Sequence, residues 1–153
     1  MAIPQSGSLL RFACRLSGDR AAAEDLVQET LLQAWRSFHQ FEPGSNMRAW
    51  LFRILVNTFY GQGRRIRLAP VMVPISSGMH SSAFATDERL EVLEALEQLP
   101  SEQRAVLLLG VVEGFTCSEM SKILSLPIGT VMSRLSRARR ALREKLSPLS
   151  VAL

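Results

Sequence analysis

The chain has little of what small proteins use for covalent reinforcement or for chemistry. Its two cysteines, Cys14 and Cys117, lie far apart and neither belongs to a C-x-x-C pair, which argues against a disulfide framework and a zinc site. Two small apolar side chains in the core of a reduced chain are the expectation. The two histidines, His39 and His80, have no nucleophile or carboxylate at motif spacing, and no glycine-rich phosphate loop occurs. No catalytic residue, metal ligand or cofactor is therefore expected, and the chain is not read as an enzyme. Long apolar runs are missing too. The most apolar stretch, Ala105 to Val112, is far below the ~18 residues of a membrane span, and the N-terminus has no apolar signal region, so a cytoplasmic protein without a membrane span is expected.

What is present is basic charge, unevenly spread. The formal net charge of +4 favours an anionic partner, because clustered Lys and Arg neutralise phosphates and release counterions. Basic residues before Leu68, among them Arg48, Arg53, Arg64, Arg65 and Arg67, are separated from those after Thr130 by Asp87, Glu88, Glu91, Glu94 and Glu97. Two basic ends around an acidic middle suggest two contacts with a long polyanion, although any one charged run is also what a solvated helix face looks like.

The β-branched alternation a sheet needs is scarce, and the periodicity is helical, so the fold class is all-α. The segment 68–86 follows neither period and mixes Pro70, Pro74 and Gly78 with serines, as a flexible linker does. Before it, one short helix runs from Ser8 to Leu16 and stops near Gly18. A second begins around Ala21 and carries Leu26, Leu31, Leu32 and Trp35. Pro43 and Gly44 break the chain, and a third helix follows from about Met47 to Tyr60 with Trp50, Leu51, Ile54 and Leu55 on one face. After the linker, Leu90 to Leu99 forms a helix that ends by Pro100. Ser101 then caps a helix through Val106, Leu107, Val111 and Val112 to Gly114. Thr116 and Glu119 have capping-box spacing and open a short helix to Leu124. After a turn, Thr130 caps a long final helix to Leu146.

A short helix, a tight turn and a long Arg-rich helix outline a helix-turn-helix, whose second helix enters the major groove. On that helix Val131, Leu135, Ala138, Leu142 and Leu146 share one face. Ser133, Arg137 and Arg140 point the other way, with Thr130, Arg134 and Ser136 at the margins. Small hydroxyls let the backbone approach, and Arg can bond guanine bidentately.

The stretch LPSEQRAVLLLGVVEGFTCSEMSKILSLPIGTVMSRLSRARRALREKL resembles region 4 of extracytoplasmic-function sigma factors. AAAEDLVQETLLQAWRSFHQFEPGSNMRAWLFRILVNTFYGQGRR is similar to their region 2, with NMRAWLF and NTFY resembling the alphaproteobacterial general-stress-response subgroup. This resemblance implies two small helical domains, region 2 at residues 1–67 and region 4 at 87–148, with the linker at 68–86 and a tail at 149–153. It implies binding to core RNA polymerase and promoter DNA, and control by an anti-sigma factor. By the same resemblance, Asp25, Gln28, Glu29, Leu32 and Trp35 bind core polymerase. Asn57, Phe59, Tyr60, Arg64, Arg65 and Arg67 bind the minus-ten element. Thr130, Ser133, Arg134, Ser136, Arg137 and Arg140 bind the minus-thirty-five element. Read without it, the carboxylates are solvated surface and Trp35 is core; Trp50 reads as core either way.

Three departures from the family pattern stand out. Met132 occupies a position where Lys or Arg often sits, Ser121 and Ser125 replace the usual Ala and Gly, and the first helix is shortened, which leaves the region 2 core short of packing. A sigma-mimicking adaptor that sequesters an anti-sigma factor without touching DNA is the alternative. The basic face of the final helix speaks against it.

Overall fold

The computed structural model describes residues 6–68 and 87–146, with side chains described for 7–62 and 90–146. The chain divides into two compact units, Met1–Met79 and His80–Leu153. The segment read as a linker, apart from Leu68 at the end of a helix, lies outside the described residues.

The first unit is built from α1 (Ser6–Ser17), α2 (Arg20–Arg36), a single 3₁₀ turn at Phe38–Gln40 and α3 (Met47–Leu68). α1 stops where Gly18 turns to φ 77°, with its N–H donating to the Cys14 carbonyl. Asp19 then caps α2 by accepting from the N–H groups of Ala21 and Ala22. Short as α1 is, its Leu9, Phe12, Ala13 and Leu16 are buried completely or nearly so, as are Leu26 and Val27 of α2 and Leu51, Phe52 and Leu55 of α3. The expected shortfall in packing is therefore not seen. Phe12 meets Phe52 edge-on with centroids 5.0 Å apart, and the Arg48 guanidinium lies 5.2 Å from the Phe52 ring centre. Buried Thr30 and Thr58 each donate to the carbonyl four residues earlier, so burial strands neither hydroxyl.

α3 runs two turns beyond the expected end at Tyr60, because Gly61 and Gly63 lower helix propensity without forbidding it. Cys14 and Cys117 are half-buried rather than core residues, and burial raises the Cys14 thiol pKa above its ordinary value. Trp50 is also only half-buried.

The second unit comprises α4 (Asp87–Gln98), α5 (Ser101–Leu107) running into a π turn at Leu108–Val112, α6 (Cys117–Leu124) and α7 (Ile128–Leu146). Its core gathers Leu96 and Leu99, the run Ala105 to Leu109, Phe115, Met120, Ile123, Val131, Leu135 and Ala138. Arg104 closes the α4–α5 corner. Its guanidinium donates to the carbonyls of Leu96, Glu97 and Leu99 at 2.9, 2.9 and 2.8 Å, at a helix end where the regular i→i+4 pattern stops.

Three sequence expectations shift here. Pro100, not Ser101, sits at the cap of α5, and its carbonyl accepts from the Arg104 N–H. Likewise α7 starts at Ile128, so Thr130 lies inside its first turn, and the Pro127 carbonyl accepts from Val131 N–H. In both places the carbonyl of the proline just before the helix accepts an N–H four residues on, so that Ser101 and Thr130 lie inside the first turn instead of capping it. Val111 and Val112 do not continue the buried face of Val106 and Leu107; they are 59% and 48% exposed. The π turn, with Glu113 N–H donating to the Leu108 carbonyl, inserts an extra residue and rotates them outward.

Candidate nucleic-acid and partner interfaces

α2 buries Ala23, Leu26, Val27, Thr30 and Ala34 on one side, which sends the intervening positions outward. Asp25, Gln28, Glu29, Leu32 and Trp35 recur at three- and four-residue steps and so form a single outward stripe. Asp25, Gln28, Leu32 and Trp35 are exposed and Glu29 half-buried, its carboxylate accepting from Gln33 at 3.2 Å. Trp35 is 82% exposed, so it is not a core residue of this unit.

The stripe goes on past the end of the helix. Phe38, which sequence reasoning passed over, is 53% exposed and stacks on Phe41 at 6.0 Å, while Phe41 lies 5.2 Å from Trp50. Its signal was present, an aromatic three residues after Trp35, but the loss of helical periodicity at Ser37 hid it. The next segment makes a sharp turn. Ser45 donates from both its hydroxyl and its N–H to the Glu42 carbonyl, and Gly44 takes φ 89°. Asn46 then caps α3 by accepting from Ala49 N–H. On α3, Asn57 is exposed, and Phe59 and Tyr60 are half-buried with rings 5.6 Å apart. Arg64, Arg65 and Arg67 fall on the last turns of α3, their side chains outside the described residues.

In the second unit, α6 and α7 are joined by a turn whose geometry is explicit. Thr116 and Glu119 form both bonds of the capping box. Ser125 ends α6 in the left-handed conformation, φ 55° and ψ 46°, a backbone that disfavours a side chain. The Ser121 hydroxyl reaches across the turn to the Leu126 carbonyl, and Leu126 N–H returns a bond to the Ser121 carbonyl. The two serines that depart from the family pattern thus belong to one turn, where Ser121 adds a bond that alanine could not supply.

α7 presents what this turn aims. Val131, Leu135 and Ala138 are buried, and Leu142 and Leu146 half-buried, on the inward face. Outward, Met132, Ser133, Ser136, Arg137 and Arg140 line a shallow groove of about 430 Å³. Four residues expected from the sequence, Ser133, Ser136, Arg137 and Arg140, are therefore brought together. Thr130 is half-buried at the margin. Arg134 is half-buried too, and its guanidinium sits 3.8 Å from the Glu102 carboxylate on α5. Exposed Arg139 and Arg143 were not among the expected residues and extend the basic surface. Among the described residues no group of three or more His, Cys, Asp or Glu side chains could hold a metal, and no helix is long and apolar enough to cross a membrane.

Comparison with known proteins follows the same division. The family model for Sigma-70 region 2 matches residues 6–67 and that for Sigma-70 region 4 matches residues 89–142. The ECF RNA polymerase sigma factor EcfG of Rhodopseudomonas palustris is 39% identical over 142 residues, 88% of this chain and 77% of that protein. The ECF RNA polymerase sigma factor SigL of Mycobacterium tuberculosis is 37% identical over 150 residues, 94% of this chain and 85% of that protein. Among solved structures, the sigma factor RpoE of Bartonella quintana, crystallised with the anti-sigma factor NepR, is 36% identical and superimposes with a TM-score of 0.82 over 96% of this chain and 94% of that one. With both regions matched in order and relatives this similar over most of their length, the chain belongs to the extracytoplasmic-function RNA polymerase sigma factors, which direct core polymerase to promoters.

Proposed function

We propose that the exposed helix faces divide the work of promoter-directed initiation among them. Residues 1–67 act as the polymerase-binding and minus-ten-binding domain, 68–86 as the connector, and 87–148 as the minus-thirty-five-binding domain. The outward stripe of α2, with Asp25, Gln28, Glu29, Leu32 and Trp35, docks on core polymerase. The carboxylates face basic groups there, and Leu32 and Trp35 are desolvated against apolar ones. The observation that carries this reading is Trp35, which exposes 82% of its surface at the end of the stripe that carries Asp25 and Glu29. A side chain this large gains nothing for the fold by standing in water, and buried tryptophans rank among the strongest contributors to protein interfaces.

Asn57, Phe59 and Tyr60 receive unstacked bases of the minus-ten element on aromatic and polar surfaces, and Arg64, Arg65 and Arg67 hold its backbone. Ser133, Ser136, Arg137 and Arg140, with Thr130 and Arg134 at the edges, read the minus-thirty-five element as duplex. The protein works by binding, in the cytoplasm, without a reaction of its own. An anti-sigma factor controls it, a reading supported by the RpoE–NepR complex to which the chain is similar.

Reconstitution with core RNA polymerase, followed by mapping of transcription starts, tests the proposal. Defined starts that core polymerase alone does not make are the expected result. Absence of saturable binding to core polymerase overturns it, and capture of an anti-sigma factor without any promoter-dependent start points to the mimicking adaptor instead.

A further inference from the structure

The outward face of α7 holds two apolar side chains, Ile128 and Met132, that neither phosphate contact nor guanine recognition explains. Met132 is 57% exposed and lines the same groove as Ser133, Ser136, Arg137 and Arg140. One turn earlier Ile128 is 48% exposed, so the first turns of α7 carry an apolar ridge beside the hydroxyls and guanidiniums. The unit's core does not use this ridge, since α7 packs inward through Val131, Leu135 and Ala138.

The chemistry of the groove narrows what Met132 can meet there. A thioether has no charge and no N–H, so it offers a phosphate nothing and cannot make the two donor contacts by which Arg recognises guanine. The apolar group that major-groove base edges present is the thymine C5-methyl. The N-terminal residues of a second helix in a helix-turn-helix are those that touch base edges, and Met132 lies in the first two turns of α7. An unbranched, polarisable side chain adapts its shape to a methyl group better than a rigid one does.

We propose that Met132 is a specificity-determining residue that reads the C5-methyl of a thymine in the minus-thirty-five element, an inference that rests on α7 being the duplex-reading helix. Arg137 and Arg140 supply affinity and guanine contacts next to it. At this position the chain selects a base by apolar contact rather than by hydrogen bonds.

The test uses the full chain bound to core polymerase. A duplex pool randomised in the upstream element is selected for binding, and the preferred duplex is remade with deoxyuridine in place of each thymine in turn, which removes only the methyl. Loss of one buried methyl contact is expected to weaken binding about fourfold at one position. The Met132→Ala protein should bind the thymine and uracil duplexes equally, and Met132→Leu should keep most of the discrimination. Thermal melting checks that the variants stay folded, as substitution at so exposed a site should allow. A preferred duplex without thymine in this element, uracil tolerated at every position, or an unchanged uracil penalty in Met132→Ala each overturns the proposal. A pool that yields no preferred duplex overturns the reading of α7 itself and the inference with it, a result distinct from a selected duplex indifferent to uracil.

Discussion

α2 and α7 are amphipathic helices of similar length, 17 and 19 residues, and inward they look alike: each buries small and branched apolar side chains. Outward they differ in kind. α2 shows carboxylates, an exposed leucine and an almost free tryptophan, whereas α7 shows hydroxyls, guanidiniums and one methionine. The buried half of such a helix reports only that it packs. On the function proposed above, the exposed half differs with the partner: acidic and aromatic for a protein surface with basic groups, basic and small for a polyanion that must come close to the backbone.

The largest expected effect tests the α2 side of that contrast. Reversing Asp25 and Glu29 to lysine should weaken binding to core polymerase by several kcal/mol where the contact is desolvated, since attraction becomes like-charge repulsion. A pull-down followed by a binding isotherm measures it. Trp35→Ala should cost about 2 kcal/mol or more in the same isotherm. Its thermal midpoint should match that of the unaltered protein, because Trp35 is 82% exposed. A large fall in stability would mean that Trp35 belongs to the fold after all.

On α7, Arg137→Ala or Arg140→Ala should weaken promoter recognition by about 1–3 kcal/mol if the contact is bidentate to a base, with relaxed preference at that base. A phosphate contact would lower affinity evenly across sequences and flatten its salt dependence, so a salt titration on two promoters distinguishes the two. If neither substitution alters promoter-dependent transcription, the contrast between the helices fails on this side.

Smaller effects sharpen the contrast by altering what aims α7. Ser125→Gly should stabilise the protein by about 1 kcal/mol in denaturant unfolding, because glycine accepts the left-handed backbone that serine adopts there at a cost. Glu102→Gln should raise DNA affinity slightly. It removes a carboxylate 3.8 Å from Arg134, and a partly exposed pair of this kind contributes only about 0–1 kcal/mol to stability. Fluorescence anisotropy at low and high salt would show the gain shrinking as salt screens it.

Much of this was legible in residue order. Thr116 with Glu119 announces its capping box by spacing alone, whereas on α2 the residue order groups Leu32 and Trp35 with buried Leu26, and only their exposure sets them beside Asp25 and Glu29 on the outward stripe. Ser133, Ser136, Arg137 and Arg140 converge as the period requires. What escaped depends on tertiary detail. The π turn that turns out Val111 and Val112 leaves no periodic trace, since one extra residue reads as ordinary helix. Ser101 and Thr130 have the residue type of a cap, but the carbonyls of Pro100 and Pro127 accept the first N–H groups, which puts both residues inside their helices. Arg134 looks like its neighbours in the sequence, and only the approach of α5 brings Glu102 to it.

The grip of Arg104 on three carbonyls at the end of α4 bears on the order in which the second unit assembles. The three bonds from its guanidinium form only when the first turn of α5 carries it to these carbonyls, of which that of Leu96 also accepts from Leu99 N–H. Fraying at the start of α5 would therefore withdraw three bonds from the end of α4. The two helices open and close as one cooperative piece, whose amides exchange with solvent at a shared free energy.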